Sequence, residues 1–211
     1  MKEKFILIGG WSRTKNSYND LICGAPKNYE IFFVNYLSLN PKDLVLSLFN
    51  LLEEEKLGKY SLIGHSLGGA IAIKFCYQHP EMVKKLYLIN SEGVFGEEKF
   101  FELIWAFLFQ NKLYAKRKLW INLNSALNLL CHPLINLRYA SFAYRANLIK
   151  EVRQIKAPTS IFWGEKDSLT PLWQGKIIKR LIPNSKLEVI SDMDHDWLLH
   201  SPEKFWNIVN R

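Results

Sequence analysis

Short apolar segments alternate with longer segments of mixed polarity along most of the chain. Six apolar segments are rich in β-branched and aromatic residues and nearly continuous rather than alternating, which is typical of strands buried on both faces. They are residues 4–9, 30–35, 60–64, 85–90, 159–164 and 186–191. Helical patterns separate them, over residues 41–57, 67–78, 172–181 and 202–209. This alternation predicts an α/β fold, with a parallel sheet that carries helices on both faces.

One stretch, residues 92–154, interrupts this alternation because it contains no convincing strand. Its eleven aromatic residues include Phe100, Phe101, Trp105, Phe107, Phe109, Trp120, Tyr139 and Phe142. It also contains the basic cluster Lys116, Arg117 and Lys118. We interpret the stretch as a helical insertion over the ends of the strands, in which most aromatics form its own core and an inward-facing subset would roof an apolar pocket. The predicted organisation is a core of residues 1–91 and 155–211 with an insertion of residues 92–154.

The amino-acid composition, the net charge and the number of cysteines limit the classes of protein to which this chain can belong. A chain of 211 residues with 48% hydrophobic and 23% charged residues is ordinary for a soluble globular domain. The net charge of +8 comes from basic residues spread along the chain, so we expect a solvated basic surface and no nucleic-acid partner. We also expect no transmembrane segment, since no apolar run is long enough. Three scattered cysteines predict no disulfide framework and favour the reduced cytoplasm.

A serine lies in a glycine-rich turn between a predicted strand and a predicted helix. Residues 64–68, Gly-His-Ser-Leu-Gly, fit the pattern G-x-S-x-G in the structural context that the pattern requires. The glycines leave room for a tight turn around Ser66, and the start of the following helix adds partial positive charge. These features indicate a nucleophilic serine. His65 is interpreted as structural.

An acid and a base follow Ser66 in chain order. Asp167 comes directly after the fifth predicted strand and His195 directly after the sixth, so all three residues lie at the carboxyl edge of the sheet, where open parallel sheets bind ligands. His195 would accept the proton of Ser66 and Asp167 would orient the imidazole. Asp192 and Asp194 are alternative candidates for the acid, but residues so close to His195 in sequence reach its Nδ1 poorly.

Two backbone amides are candidates for binding an oxyanion. One is the N–H of Leu67, directly after the nucleophile, and the other is the N–H of Trp11, in the loop after the first strand. We expect no cofactor. A metal site at Asp192, Asp194, His195, Asp196 and His200 is disfavoured, because close neighbours in sequence point in different directions and no second ligand cluster is evident.

Together these pieces resemble the α/β-hydrolase superfamily, the lipase and esterase fold, over nearly the whole chain. The matching segments are LIGGW, GHSLGG, GEKDSLTP and His195 followed by SPEKF. The Gly-Trp loop with GHSLGG is also similar to small carboxylesterases, including the pimeloyl-acyl-carrier-protein methyl ester esterases. The resemblance implies that residues 92–154 form a cap. The chain departs from the family pattern at three places. Gly9-Gly10 stands where the family often has His-Gly, and Asp194 rather than glycine precedes His195. The N-terminal hairpin that is usual before the first strand is missing, so we expect a sheet of about six strands, all parallel.

The expected function is hydrolysis of a carboxylic ester through an acyl-serine intermediate. The aromatic insertion predicts a small-molecule substrate with an apolar group, and the basic surface suits an anionic substrate or an acidic carrier protein. A thioesterase or an acyltransferase would use the same three residues. A non-catalytic receptor on the same fold is a further alternative, although every part needed for catalysis is present. Dehalogenase and epoxide hydrolase reactions, which need an aspartate nucleophile on this fold, are disfavoured because position 66 is a serine.

Overall fold

The computed structural model describes residues 2–55, 58–94 and 117–210. Its strands are β1 (Glu3–Ile8), β2 (Tyr29–Val34), β3 (Tyr60–His65), β4 (Val83–Ile89), β5 (Thr159–Gly164) and β6 (Ser185–Ile190). They form one sheet in the order β2-β1-β3-β4-β5-β6, and every neighbouring pair is parallel. The predicted α/β fold with six parallel strands is therefore confirmed. Both ends of each predicted strand lie within two residues of the ends of the corresponding observed strand.

Helices connect the strands. They are α1 (Asn19–Cys23), α2 (Leu44–Glu54), α3 (Leu67–Gln78), α4 (Arg117–Cys131), α5 (Pro133–Arg145), α6 (Ile149–Val152), α7 (Leu172–Leu181), α8 (Trp197–His200) and α9 (Pro202–Val209). The predicted bounds of α3, α7 and α9 are confirmed. Among the residues that the structure describes, no helix is both long and apolar enough to cross a bilayer.

The start of α2 differs from its prediction. The helix begins at Leu44 rather than near Pro41, and the Asp43 carboxylate accepts a hydrogen bond from the Leu46 amide at 3.1 Å. A side chain in this position satisfies one of the amides that the first turn leaves without a partner. The cap therefore sets the start of the helix. The predicted end at residues 56–57 lies outside the described residues.

Apolar layers cover both faces of the sheet, because successive strand residues point to opposite sides. In β1, Ile6 and Ile8 pack in the layer with α2, α3 and α7, whereas Phe5 and Leu7 pack in the layer with α1, α8 and α9. All six residues of β3 are buried. Burial on both faces explains why the strands are nearly continuous apolar runs.

The described part of residues 92–154 is mainly helical. It comprises α4, α5 and α6, with one antiparallel bridge between Val94 and Asn147. Tyr139 of α5 is fully buried, and its hydroxyl lies 2.6 Å from the carbonyl oxygen of Tyr36, so it packs against the core rather than lining a pocket. Most of the aromatic and basic side chains on which the cap prediction rests lie outside the described part: Phe100, Phe101, Trp105, Phe107, Phe109, Lys116, Arg117, Lys118 and Trp120.

Candidate active site

Ser66 occupies a strained turn between β3 and α3. Its backbone has φ 54° and ψ −121°, a conformation that costs a non-glycine residue about 1–3 kcal/mol. Hydrogen bonds hold it in place: its amide donates to the Ile89 carbonyl at 3.0 Å, and its carbonyl accepts from the amides of Gly69 and Glu92 at 2.9 and 3.0 Å. The strain is thus retained by contacts on both sides of the turn.

The glycines of the turn are required by close backbone approach. A Cβ on Gly64 would lie 2.6 Å from the Gly69 Cα, and a Cβ on Gly68 would overlap the carbonyl oxygen of Ile8. A Cβ on Gly69 would collide with the Ser91 side chain. Only glycine lets α3 begin this close to the sheet, which brings the start of the helix to Ser66.

The structure brings Ser66, His195 and Asp167 into one chain of hydrogen bonds. The Ser66 Oγ lies 2.9 Å from the His195 Nε2, and the His195 Nδ1 lies 2.8 Å from the Asp167 Oδ2. All three residues are buried, with exposed fractions of 7%, 7% and 5% in that order. The three residues that the sequence predicts at the carboxyl edge of the sheet therefore meet there, and His195 lies within hydrogen-bond distance of both Ser66 and Asp167.

The Asp167 carboxylate is held from several sides. Its Oδ1 accepts from the amides of Leu169 and Thr170, both at 2.9 Å, and its Oδ2 accepts from the Thr170 hydroxyl at 2.7 Å. These contacts orient the carboxylate toward His195. Asp194, an alternative acid, instead bonds through its Oδ1 to His200 at 2.9 Å.

The charge state of His195 is set by opposing influences. Burial disfavours the imidazolium, but the Asp167 carboxylate beside Nδ1, together with Asp196 and Glu92, outweighs it and raises the pKa of His195 above its ordinary 6.5. A raised pKa makes the imidazole a stronger base for the proton of the Ser66 hydroxyl.

Of the two residues predicted to supply oxyanion donors, Leu67 directly follows Ser66 and Trp11 lines the Ser66 cavity. Leu67 is the first residue of α3 and is fully buried. The Gly10 amide, which precedes Trp11, is already bonded to the Tyr18 hydroxyl at 2.8 Å. The indole of Trp11 donates to the Asn136 carbonyl of α5 at 3.1 Å, which holds this loop against the insertion.

His65 is part of the scaffold behind the site. Its Nδ1 lies 2.7 Å from the Tyr18 hydroxyl and its Nε2 lies 3.1 Å from the His195 carbonyl. Because the His195 carbonyl can only accept, Nε2 carries the proton of the neutral ring, and Nδ1 accepts from the Tyr18 hydroxyl. Burial lowers the pKa of His65 to about 4, so the ring is neutral and links Tyr18 to the backbone of His195.

Sequence reasoning did not identify Asn90. This residue has φ 44°, and its side-chain amide donates to the Asp167 Oδ2 and to the Asp194 carbonyl, the latter at 3.2 Å. Its Oδ1 accepts from the Gly164 amide and from the Trp197 indole, both at 3.0 Å. Asn90 thereby ties the acid loop to the histidine loop. The available signal was its position directly after β4, at the carboxyl edge of the sheet.

The acidic residues near His195 have separate partners. Asp196 pairs with Arg13 at 2.7 Å, Asp194 with His200 at 2.9 Å, and Asp192 with Lys166 at 2.7 Å. Within the described residues, no group of three His, Cys, Asp or Glu side chains converges to hold a metal ion.

A cavity of about 40 Å³ opens at Ser66. Its described lining consists of Gly10, Trp11, Arg13, His65, Ser66, Glu92, Leu169, His195 and Asp196. Burial raises the pKa of Glu92 to about 7, with His195 opposing and Asp167 reinforcing that shift. Arg13 and Glu92, like Asn90, were not among the predicted site residues.

Comparison with known proteins finds a matching family model and relatives that are similar in sequence. The family model described as alpha/beta hydrolase fold matches residues 43–120. An uncharacterized protein of Mycobacterium bovis is 23% identical over 197 residues, covering 77% of this chain; the chain spans only 58% of that relative's length. A 2-hydroxy-6-oxononadienedioate/2-hydroxy-6-oxononatrienedioate hydrolase of Comamonas testosteroni is 25% identical over 224 residues, covering 89% of this chain and 77% of its own length.

Solved structures show the same fold. The crystal structure of a bromoperoxidase from Bacillus anthracis has a TM-score of 0.81 at 17% identity, covering 100% of this chain and 91% of that one. At this identity the likeness is one of fold, and the chemistry has to be argued from the site itself.

Proposed function

We propose that this chain, which has the α/β-hydrolase fold and matches that family's model over residues 43–120, is a serine hydrolase that cleaves a carboxylic ester through an acyl-Ser66 intermediate. The observation that supports this most directly is the continuous hydrogen-bond chain from the Ser66 Oγ through His195 to Asp167, at 2.9 and 2.8 Å. A serine hydroxyl is a weak nucleophile until an adjacent base accepts its proton, and this geometry provides that base.

The proposed reaction has two halves. His195 takes the Ser66 proton through Nε2 as Oγ attacks the ester carbonyl, and the imidazolium then protonates the departing alcohol. Water next enters, gives a proton to His195 and attacks the acyl-Ser66 carbonyl. The imidazolium then returns this proton to the Ser66 Oγ as the bond to the acyl group breaks, so that the acid is released and Ser66 is restored. Asp167 keeps the Nδ1 proton in place and stabilises the imidazolium in both halves.

The oxyanion of each tetrahedral intermediate needs donors near Ser66. We assign this role to the amides of Leu67 and Trp11, helped by the positive end of α3. Loss of one such donor costs about 3–4 kcal/mol of transition-state stabilisation in comparable sites. No cofactor is required by this chemistry.

The finer proposal for the substrate is an ester with an apolar group, including a methyl ester carried on an acidic acyl carrier protein. Its support is the basic cluster 116–118, whose side chains lie outside the described part of the structure. Neutralising Lys116, Arg117 and Lys118 should lower kcat/KM for the carrier-bound ester and leave the free methyl ester unchanged. Equal kcat/KM for the carrier-bound ester before and after neutralisation would remove the carrier from the proposal.

The name of the Comamonas testosteroni relative favours a second candidate. That protein is named as a hydrolase of unsaturated oxo diacids, and the same three residues could act on such a compound here. Parallel assays with an ester and with an unsaturated oxo diacid separate the two candidates, because kcat/KM identifies the better substrate.

The test of the main proposal is hydrolysis of 4-nitrophenyl butyrate. Ser66→Ala should reduce the rate to near background, and Asp167→Asn should reduce kcat by roughly 10⁴-fold because the imidazole would hold the wrong tautomer. Ser38→Ala, at an exposed serine outside the cavity, is the control and should retain full activity. Hydrolysis that survives Ser66→Ala would overturn the proposal. Adding an alcohol to this assay shows whether the acyl group is transferred to it in preference to water. Replacing the ester by a thioester shows whether thioester cleavage is preferred.

A further inference from the structure

Glu92 is a buried acid that the proposed reaction does not use. It lies just beyond the carboxyl end of β4, and its amide donates to the Ser66 carbonyl at 3.0 Å, so it is a close neighbour of the nucleophile. Its exposed fraction is 6%, and it lines the same cavity as Ser66 and His195.

Two buried carboxylate oxygens on residues that line this cavity have no hydrogen-bond partner among the described residues. One is the Glu92 Oε2, and the other is the Oδ1 of Asp196, whose Oδ2 pairs with Arg13. Asp196 is 7% exposed and also lines the cavity. Buried polar atoms in proteins almost always have a partner, and exceptions often mark functional sites. Two such oxygens beside a nucleophile indicate that the ligand supplies the missing donor.

We propose, on the basis of the proposed ester hydrolase, that Glu92 and Asp196 form a polar subsite and that the preferred substrate is an ester with a hydroxyl group near its carbonyl. Glu92 determines specificity in this assignment, whereas Ser66, His195 and Asp167 act on the ester bond itself.

A hydroxyl fits this cavity better than an ammonium group does. The guanidinium of Arg13 lines the same cavity and would repel a second cation. The positive end of α3 and the imidazolium that forms on His195 add to that repulsion. A hydroxyl can also donate to an ionised carboxylate or accept from a neutral one, so it suits an acid that titrates near neutral pH.

Binding to the Ser66→Ala chain tests the subsite without turnover. The dissociation constants of methyl 3-hydroxybutanoate, methyl 3-methylbutanoate and methyl 3-aminobutanoate are measured by ligand-observed NMR; the second compound replaces the hydroxyl by a methyl group. The hydroxy ester should bind at least about ten-fold more tightly than the methyl analogue, because the analogue leaves the buried oxygens unpaired. Adding Glu92→Leu should abolish or reverse that preference, and adding Glu92→Gln should retain part of it.

Glu54→Leu is the matched control, because Glu54 is exposed at the end of α2 and does not line the cavity. It should leave the preference unchanged. Three results with the Ser66→Ala chain would overturn the subsite: equal binding of the hydroxy ester and the methyl analogue, no binding of the hydroxy ester, or tightest binding of the amino ester. A preference for the hydroxy ester that survives Glu92→Leu would also overturn it. If the Glu92→Leu variant does not fold, two measurements test the subsite instead: the preference of the Ser66→Ala chain for the hydroxy ester over the methyl analogue, and the reduction of that preference by Glu92→Gln.

Hydrolysis of 4-nitrophenyl butyrate by the wild-type chain judges the ester hydrolase separately. A chain that hydrolyses this ester but binds the hydroxy and methyl esters equally contradicts only the subsite. A chain that shows the hydroxyl preference but hydrolyses no ester contradicts only the proposed reaction.

Discussion

Ser66 combines a chemical role with a backbone conformation that serine rarely adopts. The positive φ of 54° places Cβ in an unfavourable position, and the surrounding hydrogen bonds keep it there. Strain of this kind is commonly retained where a side chain must be presented to a ligand. The strained backbone at Ser66 therefore lowers the stability of the folded chain while it positions the Ser66 hydroxyl.

Ser66→Gly should therefore stabilise the chain relative to Ser66→Ala. Both variants remove the hydroxyl, but only glycine removes the Cβ that conflicts with φ 54°. The free energy of unfolding should be about 1 kcal/mol higher for the glycine variant, which corresponds to roughly 2–4 °C in Tm for a chain of this size. Thermal unfolding of the two variants measures the difference. Equal or lower stability of Ser66→Gly would show that the turn is not strained.

The pH dependence of hydrolysis should report His195. The imidazole must be neutral to act as a base, so kcat/KM should fall as pH decreases through a pKa that Asp167, Asp196 and Glu92 hold above the ordinary 6.5 despite burial. Glu92→Gln removes the negative charge that Glu92 carries as pH rises through its own pKa of about 7, which slightly lowers the pKa of His195. The acid limb of the profile should then move to lower pH, and a shift to higher pH would contradict this account.

At this scale the sequence predicts the three residues proposed to react better than the residues that support them. Ser66 stands in a recognisable turn, and Asp167 and His195 directly follow strands, so chain order and sheet topology suffice to bring them together. Asn90 and Arg13 act through side chains that cross between distant segments. Such contacts depend on tertiary packing, and no local pattern predicts them.

Among the elements, α3 and β3 form the unit that presents Ser66. Their close approach depends on glycines, whose missing side chains allow the backbone of α3 to contact β1. The strands were predictable because burial on both faces demands continuous apolar runs. The start of α2 was not, since Pro41 is compatible with a helix start and only the Asp43 cap selects Leu44.

Gly68→Ala should impair both stability and activity. The added Cβ would meet the backbone of Ile8 and Gly9, which cannot move aside as a side chain could. Overpacking of this type costs about 1–3 kcal/mol, and displacement of Ser66 by about 1 Å can reduce the rate about 100-fold.

Gly58→Ala is the control for this change. Gly58 has φ 69° but open space around its Cβ position, so it should lose stability without losing kcat. Unfolding curves and ester hydrolysis of both variants provide the measurement. Full activity in Gly68→Ala would contradict the role assigned to the glycine.

Across the whole molecule, Arg13 joins three segments that are distant in sequence. Its guanidinium lies 2.7 Å from the Asp196 carboxylate, next to His195, and 2.8 Å from the Ser125 hydroxyl of α4. The pair is buried, with side-chain exposures of 7% and 10%. One cation thus connects the first loop, the histidine loop and the helical insertion.

Arg13→Met should destabilise the chain by about 3–5 kcal/mol at neutral pH, because it leaves Asp196 buried without its counterion. Burial alone would raise the pKa of Asp196, and Arg13 is what keeps it below the usual value. The ion pair therefore stabilises the fold at neutral pH and is lost as pH falls through the pKa of Asp196 in the folded chain. The deficit of the variant should accordingly shrink in acid.

Urea unfolding at neutral and acidic pH measures this deficit. Arg13→Met combined with Asp196→Asn should recover part of the stability at neutral pH, because no buried charge is left unpaired. Arg153→Met, at an exposed arginine, is the control and should change little. A deficit that does not depend on pH would contradict the role of the ion pair.

The central claim is that Ser66 is an activated nucleophile, and covalent labelling tests it most directly. The intact mass of the wild-type chain, of Ser66→Ala and of Ser38→Ala is measured after treatment with a fluorophosphonate. The account predicts one adduct on the wild-type and Ser38→Ala chains and none on Ser66→Ala. A folded wild-type chain that acquires no adduct, or a Ser66→Ala chain that acquires the same adduct, would contradict it.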